Sequence, residues 1–217
     1  MPGGSARREY ERRVAKRSDA ATAKHRYVGK LLVDLTQEPQ STKAWDQGAR
    51  GELRVGTRLE KLLSEAGVVL HDRQVPGRRI NIDHIVIGPA GVFVVDTKSY
   101  KGKVERRTVG PWRSREPHLY IGGRDRTNLL EGVAEQAAHV RQRLDVEIPV
   151  QPALCITTAE WGIATSAFVI DGVWIGWAKA LAKQVRRTHT LDGDQVRTVA
   201  TRLAVDFPAL RPKNQLS

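Results

Sequence analysis

Cysteine is almost missing from this chain: Cys155 is alone among 217 residues. A single thiol excludes an internal disulfide framework and a cysteine-based metal cluster, and it fits a reducing, cytoplasmic compartment. Its neighbours, ALCITT, read as a core strand, so the expectation is a buried and inert thiol. Long apolar runs are missing too. The most apolar stretch, residues 153–177, is interrupted by Glu160, by Trp161-Gly162 and by Asp171-Gly172. It reads as two or three short strands rather than a membrane span, so no membrane partner is expected. The first residues, MPGGSARREYERRVAKR, have no apolar segment behind their charges and do not read as a secretory signal. The six histidines lack zinc-like spacing. Neither G-x-x-x-x-G-K-[ST] nor G-x-S-x-G occurs, which argues against P-loop NTPase and α/β-hydrolase chemistry.

Acidic residues are the minority charge. Thirty-six Lys and Arg stand against 24 Asp and Glu, giving +12 and a pI near 10.3. That excess favours a polyanionic partner, nucleic acid before an acidic membrane, although a generally basic surface would look the same. Residues 1–45 hold ten Lys/Arg against five Asp/Glu and little apolar period, so they read as a basic extension, partly helical or flexible. A helix is expected over 47–66, with Val55, Leu59, Leu62, Leu63 and Ala66 as its apolar stripe and Gly67 as its stop. Strand candidates follow at 68–75, 79–88 and 91–98, with a hairpin turn at GPAG. From Lys98 to Asn128 a basic loop holds nine Lys/Arg against three acids. Thr127 is placed to cap a helix running to about Leu144, and PVQPALCITT, AFVI and GVWIGW read as strands. Helices near 178–187 and 193–206 complete an α/β fold, a mixed central sheet flanked by helices. The organisation expected is an extension over 1–45, a domain over 46–190, and a C-terminal helix and tail over 191–217.

Three acids occupy positions where apolar residues belong. Glu52 falls on the inward stripe of the first helix, one turn before Val55. A helix dipole could account for it, but a buried glutamate needs a partner or a metal. Asp83 interrupts RINIDHIVIG and shares a strand face with Ile85 and Ile87; a bulge or a loop contact is the plainer explanation. Asp96 and Lys98 end the strand GVFVVDTK on one face, with Thr97 opposite. If the two strands are neighbours, Asp83 approaches Asp96. Three carboxylates and one lysine suit Mg²⁺ or Mn²⁺, which phosphodiester cleavage uses to activate water and offset charge on phosphate. His84 adjoins Asp83 but points to the other face, which favours a structural role. The loop residues Lys101, Lys103, Arg106, Arg107, Arg113 and Arg115, interleaved with Tyr100 and Trp112, suit contact with a phosphate backbone and a base. A solvated basic loop is the alternative.

The ordered set of Glu52, Asp83 and Asp96-x-Lys98 resembles the core of the PD-(D/E)XK restriction-endonuclease-like superfamily. More narrowly, GARGE (48–52), LHDRQVPGRRINIDHIVIGPAGVFVVDTKSYKGKV (70–104) and Gln136 resemble the nuclease-related domain, NERD, over roughly residues 46–185. The resemblance implies a restriction-endonuclease-like core and a metal-dependent endonuclease acting on DNA. It implies metal ligation by Glu52, Asp83, Asp96 and the Thr97 carbonyl, with Lys98 as the catalytic lysine. It implies a supporting role for Gln136, which could equally be a core glutamine bonded to backbone. The alternative is a nucleic-acid-binding module that keeps the fold and does not cleave.

Overall fold

The computed structural model describes residues 40–162, 165–187 and 190–210. Most of the basic extension expected over 1–45 therefore lies outside the described residues. Helix α1 spans Gln40–Leu63, and Val55, Leu59 and Leu63 on its apolar stripe are buried. It starts earlier than the apolar period predicts, because residues 40–46 contain no Gly or Pro to stop a helix. It closes where Gly67 N–H donates to the Leu63 carbonyl at 2.8 Å.

Among the described residues nine strands follow in two sheets. Strands β1 (Val68–Gln74), β2 (Asn81–Gly88) and β3 (Gly91–Ser99) form an antiparallel meander. Strands β7 (Val150–Thr157), β8 (Phe168–Ile170) and β9 (Val173–Gly176) extend it to six in the order β1-β2-β3-β7-β9-β8. The β3–β7 and β7–β9 pairs are parallel, so the sheet is mixed. Strand β3 is central, paired on both edges and covered on both faces, which is why its sequence is apolar almost without alternation.

Helices cover both faces. On one face α1 and α3 (Ala178–Val185) pack Val55, Leu59, Leu181 and Val185 onto Val86, Phe93, Val95 and Ala153. On the other, α2 (Leu129–Arg141) and α4 (Gly193–Asp206) pack Ala137, Val140, Val199 and Leu203 onto Ile85, Ile87, Val92 and Val94. The expected α/β fold is the observed one. Helix α4 starts on a capping box between Asp192 and Gln195 and belongs to this shared core. No helix among the described residues is long and apolar enough to cross a membrane.

The segment expected as a basic loop is a second, three-stranded sheet: β4 (Val104–Val109), β5 (Glu116–Ile121) and β6 (Arg124–Asp125). Its few apolar anchors, Val104, Leu119 and Ile121, are buried against Leu130, Val133, Leu154 and Ile156. Between β5 and β6, Gly122 and Gly123 take φ of 57° and 79°, the left-handed pair that a two-residue hairpin requires. Thr127 does not cap α2. Its hydroxyl donates to Asp125 and accepts from Leu119 N–H, tying this sheet together instead.

Candidate active site

The β2–β3 ladder runs from Gly88↔Gly91 to His84↔Val95 and ends there. On its other edge β3 stays paired with β7 as far as Ser99↔Thr157. The sheet therefore splits between β2 and β3 beside Asp96. The Asp83 carboxylate occupies the split, accepting the Thr97 N–H at 2.8 Å in place of a ladder carbonyl. Asp72, which the sequence reading did not single out, lies opposite Asp83 between the pairs His71↔His84 and Arg73↔Ile82. It is buried, with φ of 52°. Nothing in its local sequence announces that conformation.

Alternation puts Asp83, Asp96 and Lys98 on the α2/α4 face. Asp96 is 8 % exposed, and its Oδ2 lies 2.5 Å from the Lys98 ammonium. Burial pushes the Asp83 carboxyl up to about 7, with the Asp96 charge adding to the effect; Lys98 and the Thr97 N–H partly hold it back. Burial pulls the other way on Lys98, but Asp96 and Asp83 outweigh it and hold the ammonium above its ordinary value. Two carboxylates and one cation thus share this end of the sheet.

Glu52 and Gln136 approach from opposite sides. Glu52 is 4 % exposed on α1, the helix that packs on the face of Thr97 and Cys155, not on that of Asp96. Gly51 permits the close approach: a Cβ there would stand 3.0 Å from Thr157 Oγ1 and 3.4 Å from Ser99 Cβ. Gln136 is on α2, over the Asp96 face, and its buried Oε1 has no hydrogen-bond partner. Among the described residues, no group of three or more His, Cys, Asp or Glu stands close enough together to hold a metal ion. The structure brings Asp83, Asp96 and Lys98 together and leaves Glu52 and Gln136 as flanks.

His84 turns away from Asp83, as its position in the strand requires, and is fully buried. Its Nδ1 is 2.9 Å from His71 Nδ1, and His71 Nε2 is 2.8 Å from Glu60 Oε1. The two rings thus face each other through Nδ1, and His71 turns its second nitrogen to Glu60. Burial lowers His71 in spite of Glu60, and burial followed by His71 lowers His84 to about 3.

The basic residues divide. Lys103 and Arg107 both engage Glu105, at 3.2 and 2.6 Å, and Arg107 also lies 4.3 Å over the Tyr120 ring. Lys101, Arg106, Arg113 and Arg115 are exposed.

Comparison with known proteins gives two matches. The family described as "Nuclease-related domain" (NERD) matches residues 47–157, which holds α1 from residue 47 onward, β1 to β7 and α2. A Bacillus anthracis protein described as uncharacterized is 41 % identical over 78 residues, 32 % of this chain and 37 % of that protein. The chain thus matches little more than a third of that relative's length. No solved structure matches.

Proposed function

Because the chain belongs to the nuclease-related domain family, we propose that it is a metal-dependent nuclease that hydrolyses phosphodiester bonds in DNA. The observation that carries this reading is the grouping of Asp83, Asp96 and Lys98 at the split end of β2 and β3.

The donors fit a hard cation. Burial and then the Asp96 charge raise the Asp83 carboxyl, an imbalance that a divalent ion relieves, and all the donors are oxygen. Asp83, Asp96 and the Thr97 carbonyl would hold Mg²⁺ or Mn²⁺, while Glu52 stands on α1 across the sheet. When bound, the ion supplies an acidified water and charge neutralisation at phosphate. Lys98, a cation beside Asp96, would offset the negative charge that builds on the phosphoryl oxygens or assist activation of the water. Asp83 orients the end of β3 through its bond to Thr97 N–H. Gln136, with an unpartnered amide oxygen at the flank, positions water or substrate. Lys101, Arg106 and Arg113 contact the nucleic-acid backbone, while Lys103 and Arg107 hold Glu105 beside them.

A second reading, a nucleic-acid-binding module that does not cleave, draws support from one feature: Glu52 packs on the face opposite Asp96, and the carboxylates do not form a group of three. One panel separates the two. Purified protein is incubated with plasmid, single-stranded, branched and RNA substrates in Mg²⁺ or Mn²⁺, beside Asp96→Ala and Lys98→Ala proteins. The nuclease reading expects metal-dependent turnover that both substitutions abolish. Cleavage surviving unchanged in both rules out this site, and salt-sensitive binding without turnover supports the second reading.

A further inference from the structure

The hairpin of β4 and β5 has a root and an end of different character. At the root, Val104, Leu119 and Ile121 enter the core beneath α2. From Arg106 to Glu116 every residue is exposed, so this length of ribbon has no buried anchor among the described residues. A two-stranded ribbon is marginal by itself, so its exposed end invites the question of what it meets. Its sequence, RRTVGPWRSRE, holds four arginines and one glutamate. Trp112 sits at the turn and is 82 % exposed.

The turn is built to hold that ring outward. Ser114 N–H donates to the Pro111 carbonyl at 2.9 Å, the proline ring restricts the backbone just before the tryptophan, and Gly110 bends the chain at φ of 107°. A single exposed valine or leucine needs no explanation. An outward indole among guanidinium groups has a specific chemical complement: a base face carried on a phosphate chain. Arg107 is committed to Glu105 and Tyr120 and stiffens the ribbon. Arg106, Arg113 and Arg115 make no ion pair among the described residues and remain for phosphate. The ribbon also follows the candidate site directly in the chain. Strand β3, which carries Asp96 and Lys98, leads through residues 100–103 into β4, and Val104 N–H is pinned to the Glu160 carbonyl at 3.0 Å.

Resting on the nucleic-acid reading above, we propose that the end of this hairpin reads unpaired bases. Trp112 stacks on a base that lies outside a duplex, while Arg106, Arg113 and Arg115 hold the phosphates beside it. In a duplex each base face is covered by its neighbours, so the indole finds a partner only where a strand is single, flapped or frayed. The arginines act on any strand. The substrate class that follows is nucleic acid with single-stranded character near the point of cleavage.

The test is fluorescence anisotropy with the full chain, in chelator so that nothing is cut, on a labelled single strand, a flap and a blunt duplex of one sequence. The unsubstituted protein binds the single strand and the flap more tightly than the duplex. Trp112→Ala weakens binding to those two by between about fivefold and about a hundredfold, the range that stacking one base supports, and changes duplex binding by less than about twofold. Trp112→Phe keeps most of the preference. Arg113→Ala with Arg115→Ala weakens all three substrates and flattens the salt dependence. An equal loss from Trp112→Ala on single strand and duplex, or no loss on either, overturns the proposal while leaving the nuclease reading standing. If the unsubstituted protein neither binds nor cleaves any of the substrates, both fall together.

Discussion

Replacing Asp83 with Asn removes one charge from the paired carboxylates yet leaves an oxygen able to accept the Thr97 N–H, which now donates to Asp83 Oδ2 at 2.8 Å. In the folded chain, burial and then Asp96 raise the Asp83 carboxyl from 3.8 to about 7. The unfolded chain releases that proton near the lower value. Between the two, the folded state holds more protons than the unfolded state, so stability falls as pH rises through the window. The interval is worth ~4 kcal/mol at about 1.4 kcal/mol per pH decade. Asp83 is half-buried at the split between β2 and β3, where solvent weakens charge interactions, so the working figure is half of that, on the order of 2 kcal/mol. Urea denaturation of parent and Asp83→Asn at intervals from about pH 5 to about pH 8 reads the difference directly. His71 and His84, both lowered, tilt stability the other way, but they are common to the two proteins and cancel. The variant gains on the parent as pH rises and leads by on the order of 2 kcal/mol at about pH 8. Mn²⁺ at roughly ten times its dissociation constant then restores ~1.4 kcal/mol to the parent and little to the variant. A difference that stays constant within about 0.5 kcal/mol across the range refutes the reasoning, because the carboxyl would then be ionised at neutral pH in spite of its burial.

Two further outcomes follow from packing. Gly51→Val forces α1 away from Thr157 Oγ1, already 3.0 Å from the position of a Cβ, and is expected to lower stability by ~1–3 kcal/mol in thermal denaturation; a variant as stable as the parent would show that the helix does not seat closely here. Cys155 is fully buried, and burial, with Asp96 adding to it, pushes its thiol far above the ordinary range. A neutral-pH thiol reagent should label it only as fast as the chain unfolds, and rapid labelling of native protein would contradict that.

Most of the helices and strands of the main sheet were legible because their apolar periods are strong. Helix α4 falls on the residues expected for it, 193–206, and β1, β2 and β3 fall within a residue or two of their expected bounds. The second sheet was not legible. Its buried positions, Val104, Leu119 and Ile121, are too few and too widely set among charges to show a period of two, and they gain their burial only from α2 and β7. Gly110-Pro111 and Gly122-Gly123 were the local signals of turns there. Asp72 was missed for a related reason, since its left-handed backbone is imposed by the strands around it.

Within a strand, side-chain direction is settled by chain geometry alone, so the sequence by itself determined that Asp96 shares a face with Lys98, and Asp83 with Ile85. It also determined that Glu52 points inward from its helix, because helical period is equally local. Which face of the sheet that helix covers is not local: it depends on how the chain crosses between distant elements. Only the tertiary structure decided that α1 packs opposite Asp96, so that Asp83, Asp96 and Lys98 meet at a split in the sheet while Glu52 stands across it.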